Sequence, residues 1–439
     1  MTPTLLATES RGSSRSVPKT SVLVACPDAR PPAYEAVIGF AQATSLDRFV
    51  TGYYYGGHGP VSELVRRYAP CHFHRLRRQL LRRNDRRIPP DLVVSLPSFD
   101  VALAIENRLA GRPDARRWVA AHRTRRFDRA VARRIERDRP DAAVLFSDVG
   151  SEFALPACRR LGIPTILSMV HGDVREEREV LAREAIESPD YFPLYLGDGQ
   201  LDRAAMDWLH ERRLRDIAFA DRILVPSEHI ANTLARYGTP RERIAVVPYA
   251  ADVGRFRPVD GKKHGAGCTF LFAGGITQRK GIGYLLQAWR RVKRPGWRLQ
   301  LLGALPSRLG PLADDLKAEG VEHLGRVGHA EMPARMAAAD VFVFPSLFEG
   351  SAVVTYEALA CGLPSIATEA SGTVARDGID GFIVPSRDVD ALAERMDRLG
   401  GDPSLRAEMA IAARERAEAF DWPRYRAAVL GEVTNLLGH

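Results

Sequence analysis

Short apolar runs alternate with amphipathic helical stretches along most of this chain, and that alternation restricts the possible folds more than any other feature. Strands separated by helices pair in parallel, and the helices then cover both faces of the sheet. The first half has four predicted strands, at Ser21 to Ala25, Ala142 to Phe146, Thr165 to Val170 and Arg222 to Val225. The second half has six, at Thr269 to Ala273, Arg298 to Leu302, Val321 to Leu324, Val341 to Phe344, Ser365 to Ala367 and Phe382 to Val384. The expected fold class is α/β, with two doubly wound, Rossmann-like domains facing each other across a cleft.

The length of the chain, 439 residues, exceeds what one ordinary hydrophobic core holds, so two large domains are expected. The predicted segments are a disordered tail at 1–19, a first Rossmann-like domain at 20–247, a linker at 248–266, a second Rossmann-like domain at 267–420, and a final segment at 421–439. The linker is placed where Pro, Asp, Gly and Lys accumulate without apolar periodicity. The final segment is predicted to be a helix, Trp422 to Leu437, that crosses back to the first domain.

The composition restricts the compartment and the partners. No apolar run reaches the roughly 18 residues that span a bilayer, and the N-terminus lacks the layout of a secretory signal. Five scattered cysteines without a CxxC pair favour the reducing cytoplasm over a disulfide framework or a zinc site. The net charge is +9, with only six lysines among 63 basic residues. Codon usage that favours arginine and attraction to phosphates or anionic lipid both remain open.

Two glutamates eight residues apart form the first candidate site. Glu349 lies in the turn after a predicted strand, and Glu357 lies inside the helix predicted from about Ala352 to Cys361. A rise of about 1.5 Å per residue separates the two carboxylates by roughly 10 Å, which suits a nucleotide sugar. A diphosphate would then lie over the helix N-terminus, where N–H groups of Gly350, Ser351 and Ala352 are predicted to be free. The alternative is a glutamate that complements the helix dipole and a second one on the surface.

Lys280 is the second candidate, because it follows a predicted strand and loop and opens a helix. A point charge beside a helix N-terminus can hold a diphosphate, and Arg279 can add a bidentate contact. Gly274 and Gly275 belong to the same loop and are candidate donor-binding residues. The alternative is a solvated Arg-Lys pair.

His171 follows a strand-like run and faces the expected ligand cleft, because ligands of open α/β sheets bind beyond the carboxyl ends of the strands. Asp173 is a candidate partner for the imidazole or for a substrate. The alternative for His171 is a purely structural role.

Three further motifs are weaker. Asp388-Val389-Asp390 spells DxD, but it begins a helix, so we predict capping rather than metal binding. The His72-Phe73-His74 motif has no partner cluster and is not expected to bind metal. The stretch from His72 to Arg87 is either a basic amphipathic helix that lies on anionic membrane or an ordinary domain helix. Nucleic acid is not an expected partner, because no aromatic residues interleave with the positive charge.

Four segments resemble, in order, the motifs of the large retaining GT-B glycosyltransferase family with the E-x7-E signature (glycosyltransferase family 4, glycosyl transferases group 1). EGSAVVTYEALACGLPSIAT, from Glu349, is similar to the signature itself, and FAGGITQRKGIGYLLQAW, from Phe272, is similar to the strand, phosphate loop and helix. VVPYAADVGRFRP, from Val246, resembles the interdomain segment with its aspartate, Asp252. The run from His323 to Gly350 resembles the approach to the signature. The resemblance covers essentially the whole second half and is weak in the first.

This resemblance implies a GT-B enzyme that moves a hexose from a UDP- or GDP-sugar to a hydroxyl acceptor with retention of configuration. It implies that Lys280 and Arg279 hold the diphosphate, that Glu349 binds the sugar, and that His171 meets the sugar near its 6-hydroxyl. Arg326 and Val327 match the place where the family's backbone meets the base. The family needs no metal or other cofactor.

The sequence departs from the family pattern at two places. Gly275 occupies the position of a phosphate-binding arginine, and Ala25-Cys26-Pro27-Asp28-Ala29 replaces a glycine pair after the first strand. The expected partners are a nucleotide-sugar donor and a sugar or lipid-linked sugar acceptor, in surface polysaccharide or glycolipid synthesis. The location is expected to be the cytoplasm, with attachment to the inner face of the membrane left open. Two alternatives remain, a sugar-nucleotide epimerase of the same architecture and a catalytically weak nucleotide-binding partner protein.

Overall fold

The computed structural model describes residues 20–28, 30–54, 83–109, 111–198, 202–259 and 267–438. The predicted tail at 1–19, the His72-Phe73-His74 motif, most of the predicted basic helix at 72–87 and the end of the predicted linker lie outside these ranges. Within them the chain forms two parallel sheets, each with helices packed on both faces, so the predicted α/β class with two doubly wound domains is confirmed.

The first sheet has seven strands in the order β3-β2-β1-β4-β5-β6-β7. The strands are β1 (Val22–Ala25), β2 (Leu46–Thr51), β3 (Val93–Ser95), β4 (Ala142–Phe146), β5 (Thr165–Ser168), β6 (Arg222–Val225) and β7 (Ile244–Val246). The helices are α1 (Pro31–Gln42), α2 (Pro97–Arg108), α3 (Pro113–Asp138), α4 (Ala154–Leu161), α5 (Val174–Glu187), α6 (Arg203–Phe219) and α7 (Glu228–Arg236). Strands β1 and β4 are completely buried, as expected for strands covered on both faces.

The second sheet has six strands in the order β10-β9-β8-β11-β12-β13. The strands are β8 (Cys268–Ala273), β9 (Trp297–Leu302), β10 (Val321–Gly325), β11 (Val341–Phe344), β12 (Ser365–Thr368) and β13 (Gly381–Val384). The helices are α8 (Ile282–Val292), α9 (Leu312–Asp315), α10 (Met332–Ala338), α11 (Val353–Ala360), α12 (Val389–Gly401), α13 (Pro403–Glu418) and α14 (Trp422–Leu437).

Each sheet has one topological switch point. Strand order reverses between β1 and β4 in the first sheet and between β8 and β11 in the second. The connections leave these neighbouring strands in opposite directions, so a crevice opens beyond their carboxyl ends. The loops that follow β1, β4, β8 and β11 are therefore where the fold favours a ligand.

Helix α14 returns to the first sheet. It packs against α1, where Arg426 forms an ion pair with Glu35. Glu432 lies 2.7 Å from Arg222 of β6. The two segments that cross between the sheets touch each other, because the N–H of Ala251 donates to the carbonyl of Phe420 at 3.3 Å. The domains are thus linked by two adjacent crossings.

Most predicted strands appear within two residues of their expected bounds, but three strands were not predicted. These are β2, β3 and β7. β2 (LDRFVT) carries the charged pair Asp47-Arg48, which interrupts its apolar pattern. β3 and β7 have only three residues each, which is too short for a hydrophobic period to be recognised. Strand β5 ends at Ser168, so His171 lies three residues beyond the strand rather than at its end.

Candidate active site

The loops after β8 and β11 are hydrogen-bonded to each other, and this brings Lys280 to Glu349. The carbonyl of Arg279 accepts from the N–H of Leu347 at 2.8 Å and from the hydroxyl of Ser346 at 3.1 Å. Lys280 Nζ contacts Glu349 Oε1, and the Ser346 hydroxyl lies 3.2 Å from the same oxygen. Two candidate residues from the sequence, Lys280 and Glu349, therefore form an ion pair at the switch point of the second sheet.

Lys280 lies in a confined environment. Its ammonium is 5.1 Å from the centre of the Phe344 ring, within range of a cation–π contact. Burial lowers the pKa of Lys280, the Glu349 carboxylate opposes this shift, and the Arg279 guanidinium adds to it. Arg279 itself lies 3.9 Å from the Glu349 carboxylate. Two cations thus share one carboxylate, which leaves local positive charge suited to an anionic ligand.

Gly281 allows this close approach. Its φ of +76° is in the left-handed region, and a β-carbon there would lie 2.0 Å from the carbonyl oxygen of Pro345. Only a glycine fits, because it lacks that carbon and adopts positive φ without strain. Gly281 also ends the 3-10 turn Gln278–Lys280 and begins α8.

His171 is paired with a residue that was not predicted, Asp148 in the loop after β4. His171 Nε2 lies 3.7 Å from Asp148 Oδ1, and Nδ1 is 2.8 Å from the carbonyl of Gly172. Arg213 of α6 makes a bidentate contact to Asp148, at 2.7 and 3.1 Å. Burial works to raise the pKa of Asp148, but Arg213 and His171 together hold it well below its ordinary value. Asp148 is therefore a half-buried carboxylate anion beside the imidazole.

The His171 loop touches the Glu349 loop across the cleft. A β-carbon on Gly350 would lie 2.4 Å from the carbonyl oxygen of Val170, and one on Gly172 would lie 2.5 Å from the Phe348 ring. Ser227 of the first domain donates to the carbonyl of Gly350 at 3.0 Å. Candidate residues from both domains consequently lie at one junction.

Helix α11 begins at Val353, one residue later than predicted, with Ala352 as its N-cap. The Ala352 N–H donates to the carbonyl of Ser371 at 3.0 Å, so the prediction that this N–H is free was wrong. The loop after β12 passes close to the helix and accepts this hydrogen bond. Ser351 is held by the same loop, since its hydroxyl donates to the Gly372 carbonyl at 2.7 Å.

Glu357 lies within α11, and burial raises its pKa to about 7, with Arg255 partly opposing the shift. The carboxyl is half-buried, so Glu357 is not the exposed surface residue of the alternative interpretation. A carboxyl whose pKa lies near neutrality is a functional candidate.

The remaining donor-side candidates lie around the same crevice. The N–H of Gly274 donates to the Leu302 carbonyl at 2.9 Å. A β-carbon on Gly275 would be 3.7 Å from its nearest neighbour, Thr277, so the loop has room for a side chain at this position. Arg326 and Val327 follow β10, with Arg326 exposed and Val327 half-buried.

Two aspartates cap helices. Asp173 does not bond the imidazole: it caps α5 by accepting from the Arg175 N–H at 2.8 Å, so that suggestion was wrong. Asp388 of the DxD motif caps α12 by accepting from the N–H of Ala391 at 2.8 Å, and this prediction is confirmed. Asp252 organises the interdomain turn, since it accepts from the N–H of Arg255 at 3.1 Å.

Sequence reasoning missed Asp148, Arg213 and Ser346. The signal for Asp148 was available, because the strand Ala142–Phe146 ends directly before Ser147 and Asp148. Arg213 carries no such signal, since it is one of many arginines and its partner lies 65 residues away.

Two family models match the chain. Residues 97–255 match Glycosyltransferase Family 4, and residues 267–402 match Glycosyl transferases group 1. A D-inositol 3-phosphate glycosyltransferase of Streptomyces bingchenggensis is 31% identical over 258 residues, which are 53% of this chain and 56% of that protein. One from Pseudarthrobacter chlorophenolicus is 33% identical over 255 residues, 54% of this chain and 60% of that protein. The chain thus spans a little more than half the length of these curated relatives.

Solved structures are similar over nearly the whole chain. A sucrose-phosphate synthase from Thermosynechococcus elongatus superposes with a TM-score of 0.62 at 18% identity, covering 95% of this chain and 99% of that one. Anabaena Alr3699/HepE in complex with UDP-glucose superposes with a TM-score of 0.57 at 15% identity, covering 94% and 99%. This similarity confirms the predicted GT-B fold.

Proposed function

We propose that this chain, which belongs to the glycosyltransferases of family 4 and group 1, transfers a hexose from a UDP- or GDP-sugar to a hydroxyl acceptor. The observation that carries the proposal is the Lys280–Glu349 pair at the switch point of the second sheet, opposite His171 of the first. In such a site the cations would hold the diphosphate and the carboxylate would bind sugar hydroxyls. The UDP-glucose bound by the Anabaena neighbour supports a donor of this class.

In the reaction, the bond between the sugar C1 and the β-phosphate oxygen breaks, and a bond from C1 to the acceptor oxygen forms. The acceptor proton passes to the leaving diphosphate, which departs with the bonding electron pair. Lys280 and Arg279 would stabilise the charge that grows on the diphosphate as the bond breaks. Gly274, Gly275 and the N–H groups of Gly350 and Ser351 are proposed to line the phosphate site.

We further propose that the configuration at C1 is retained, because attack and departure then occur on the same face, where the diphosphate takes the proton. His171 would contact the sugar, and its Nε2 is buried without a hydrogen-bond partner among the described residues. Glu357 would bind the ribose, and Arg326 and Val327 the base. Cationic side chains offset the phosphate charge, so no metal is proposed.

The acceptor is proposed to be a sugar or a lipid-linked sugar in surface polysaccharide or glycolipid synthesis in the cytoplasm. In the described part of the chain, none of the helices combines the length and the apolarity that crossing a bilayer requires.

Thermal shift with UDP-glucose, GDP-mannose and ADP-glucose tests the donor site, because a ligand that binds the folded state raises the melting temperature. We expect one of the three to raise it at millimolar concentration. Lys280→Ala should abolish the shift, whereas Lys317→Ala should retain it, because Lys317 is an exposed lysine paired with Asp314. If none of the three nucleotide sugars shifts the wild-type protein, or if Lys280→Ala responds as strongly as the wild type, the proposal fails.

A further inference from the structure

A large pocket lies in the first domain, outside the donor site. Its volume is about 820 Å³, near the upper end of the range of roughly 300–1,000 Å³ typical of ligand pockets. Helices α2, α3 and α6 form its walls, and the loops after β1 and β4 form its floor. It therefore opens at the switch point of the first sheet, where this fold places ligands.

The pocket has two chemically different ends. Its floor carries Asp28, Arg30, Ser147 and Asp148, and Asp148 is the residue beside His171. The helical walls contribute four aromatic residues, Phe99, Trp118, Phe127 and Trp208. A ligand that fills this space meets polar groups from the two loops and aromatic carbon from the helices.

The charged residues along the walls do not make the apolar part polar, because they are already paired. Glu106 accepts from Arg123 at 2.9 Å, and Arg117 lies 2.9 Å from Asp202. Arg123 also covers one face of Phe99, with its guanidinium 4.4 Å from the ring centre. These pairs hold the three helices together and leave carbon surface toward the pocket.

One large apolar side chain is exposed among the residues that line the pocket. Trp118 is 67% exposed. An aromatic residue left in water beside a cavity is typical of a site that a ligand covers.

We propose that this pocket binds the apolar group of an amphiphilic acceptor, whose sugar hydroxyl lies at the polar floor beside Asp148 and His171. The inference rests on the proposed transferase function and adds the chemical class of the acceptor, a glycoside that carries an acyl chain or an aromatic ring. Such a molecule places its reactive hydroxyl at the cleft and its apolar group between α2, α3 and α6.

Calorimetric titration of the full chain with octyl, phenyl and methyl β-glucosides, with UDP present and octyl glucoside below its micelle concentration, tests the pocket. The octyl or the phenyl glucoside should bind about tenfold or more tightly than the methyl glucoside, because the apolar group is removed from water. If octyl glucoside binds more tightly than phenyl glucoside, the acceptor carries an acyl chain. If phenyl glucoside binds more tightly, the acceptor carries an aromatic ring. Equal affinity of all three, or binding by none, overturns the proposal.

The matched variants are Ala121→Trp, which fills the pocket, and Ala104→Trp, which adds the same ring at an exposed position of α2 outside the pocket. The first should lose the apolar preference, and the second should keep it. A preference that survives Ala121→Trp contradicts the pocket assignment. If Ala121→Trp does not fold, Trp118→Ala at the exposed rim serves instead, and an unchanged preference there counts against the proposal.

Thermal shift with the nucleotide sugars, measured on the same samples, separates the two proposals. If a nucleotide sugar raises the melting temperature but the apolar glucosides bind no better than methyl glucoside, only the acceptor inference is rejected. If the protein prefers the apolar glucosides but binds no nucleotide sugar, the transferase function is rejected and the pocket remains a site for an amphiphile that is not an acceptor.

Discussion

Among single residues, Glu357 should respond to pH near neutrality. Its folded-state pKa of about 7 lies above the ordinary value of 4.5, because burial disfavours the charged form. The folded state therefore binds more protons than the unfolded state between these two values, and the ligand-free protein should lose stability as pH rises through this window. The whole loss is on the order of 3 kcal/mol, since one pKa unit corresponds to about 1.4 kcal/mol.

Glu357→Gln removes the titrating group, so we expect the variant to lose about 3 kcal/mol less stability than the wild type between pH 4.5 and pH 8. Denaturant titration of the ligand-free protein at the two pH values measures this difference. Glu408→Gln, at an exposed position of α13, is the control and should follow the wild type. A wild type and a Glu357→Gln variant with parallel pH profiles would show that this carboxyl does not titrate in the window.

At the scale of elements, the sequence predicts regular strands well, but it predicts poorly where loops approach each other closely or adopt positive φ. Val341–Phe344 is a short continuous run of β-branched and aromatic residues that ends before a proline, and its bounds were predicted without error. The close approach of Gly281 to Pro345 depends on two loops 64 positions apart in the chain, and no local pattern contains it. For the same reason Glu349 and Lys280 could be predicted individually, whereas their pairing and the role of Asp148 required the structure.

Gly281→Ala should disrupt the contact between the two loops. The added carbon would clash with the Pro345 carbonyl, and the positive φ disfavours alanine. The expected loss is about 2 to 5 kcal/mol, from roughly 1–2 kcal/mol for the backbone and 1–3 kcal/mol for overpacking. Melting temperature and the donor-induced shift measure it, and both should fall.

Gly431→Ala is the matched control, because Gly431 lies inside α14 and an added β-carbon meets nothing within 4 Å. Alanine favours helix over glycine by about 1 kcal/mol, so this variant should be slightly more stable. Similar melting temperatures for the two alanine variants would contradict the steric argument at Gly281.

At the scale of the whole molecule, one buried carboxylate ties the two domains together. Glu184 of α5 is fully buried and accepts from three groups of the second domain: Gln278 at 2.7 Å, Tyr284 at 2.8 Å and Arg387 at 2.8 Å. Removing one partner of a buried ion pair leaves the other charge uncompensated, which costs about 3–5 kcal/mol. The contact therefore favours the arrangement in which the loops of His171 and Glu349 meet.

Glu184→Gln should lower the melting temperature by roughly 5 °C or more and increase the radius of gyration of the ligand-free protein in X-ray scattering. Glu187→Gln is the control on the same helix, since Glu187 is 42% exposed and lies 3.6 Å from Arg387. An unchanged radius of gyration in Glu184→Gln would show that other contacts alone hold the domains together.

The return of α14 to the first sheet also affects how the chain folds during synthesis. Helix α1 is covered by α14, yet the whole second sheet is translated between them. Part of the apolar surface of α1 must therefore stay exposed to water while some 380 residues are synthesised. At the usual rate of 5–20 residues per second, this takes about 20 to 80 s. The first domain cannot complete its core before the second is made. The nascent chain would thus be most prone to aggregation, and most dependent on chaperones, in this interval.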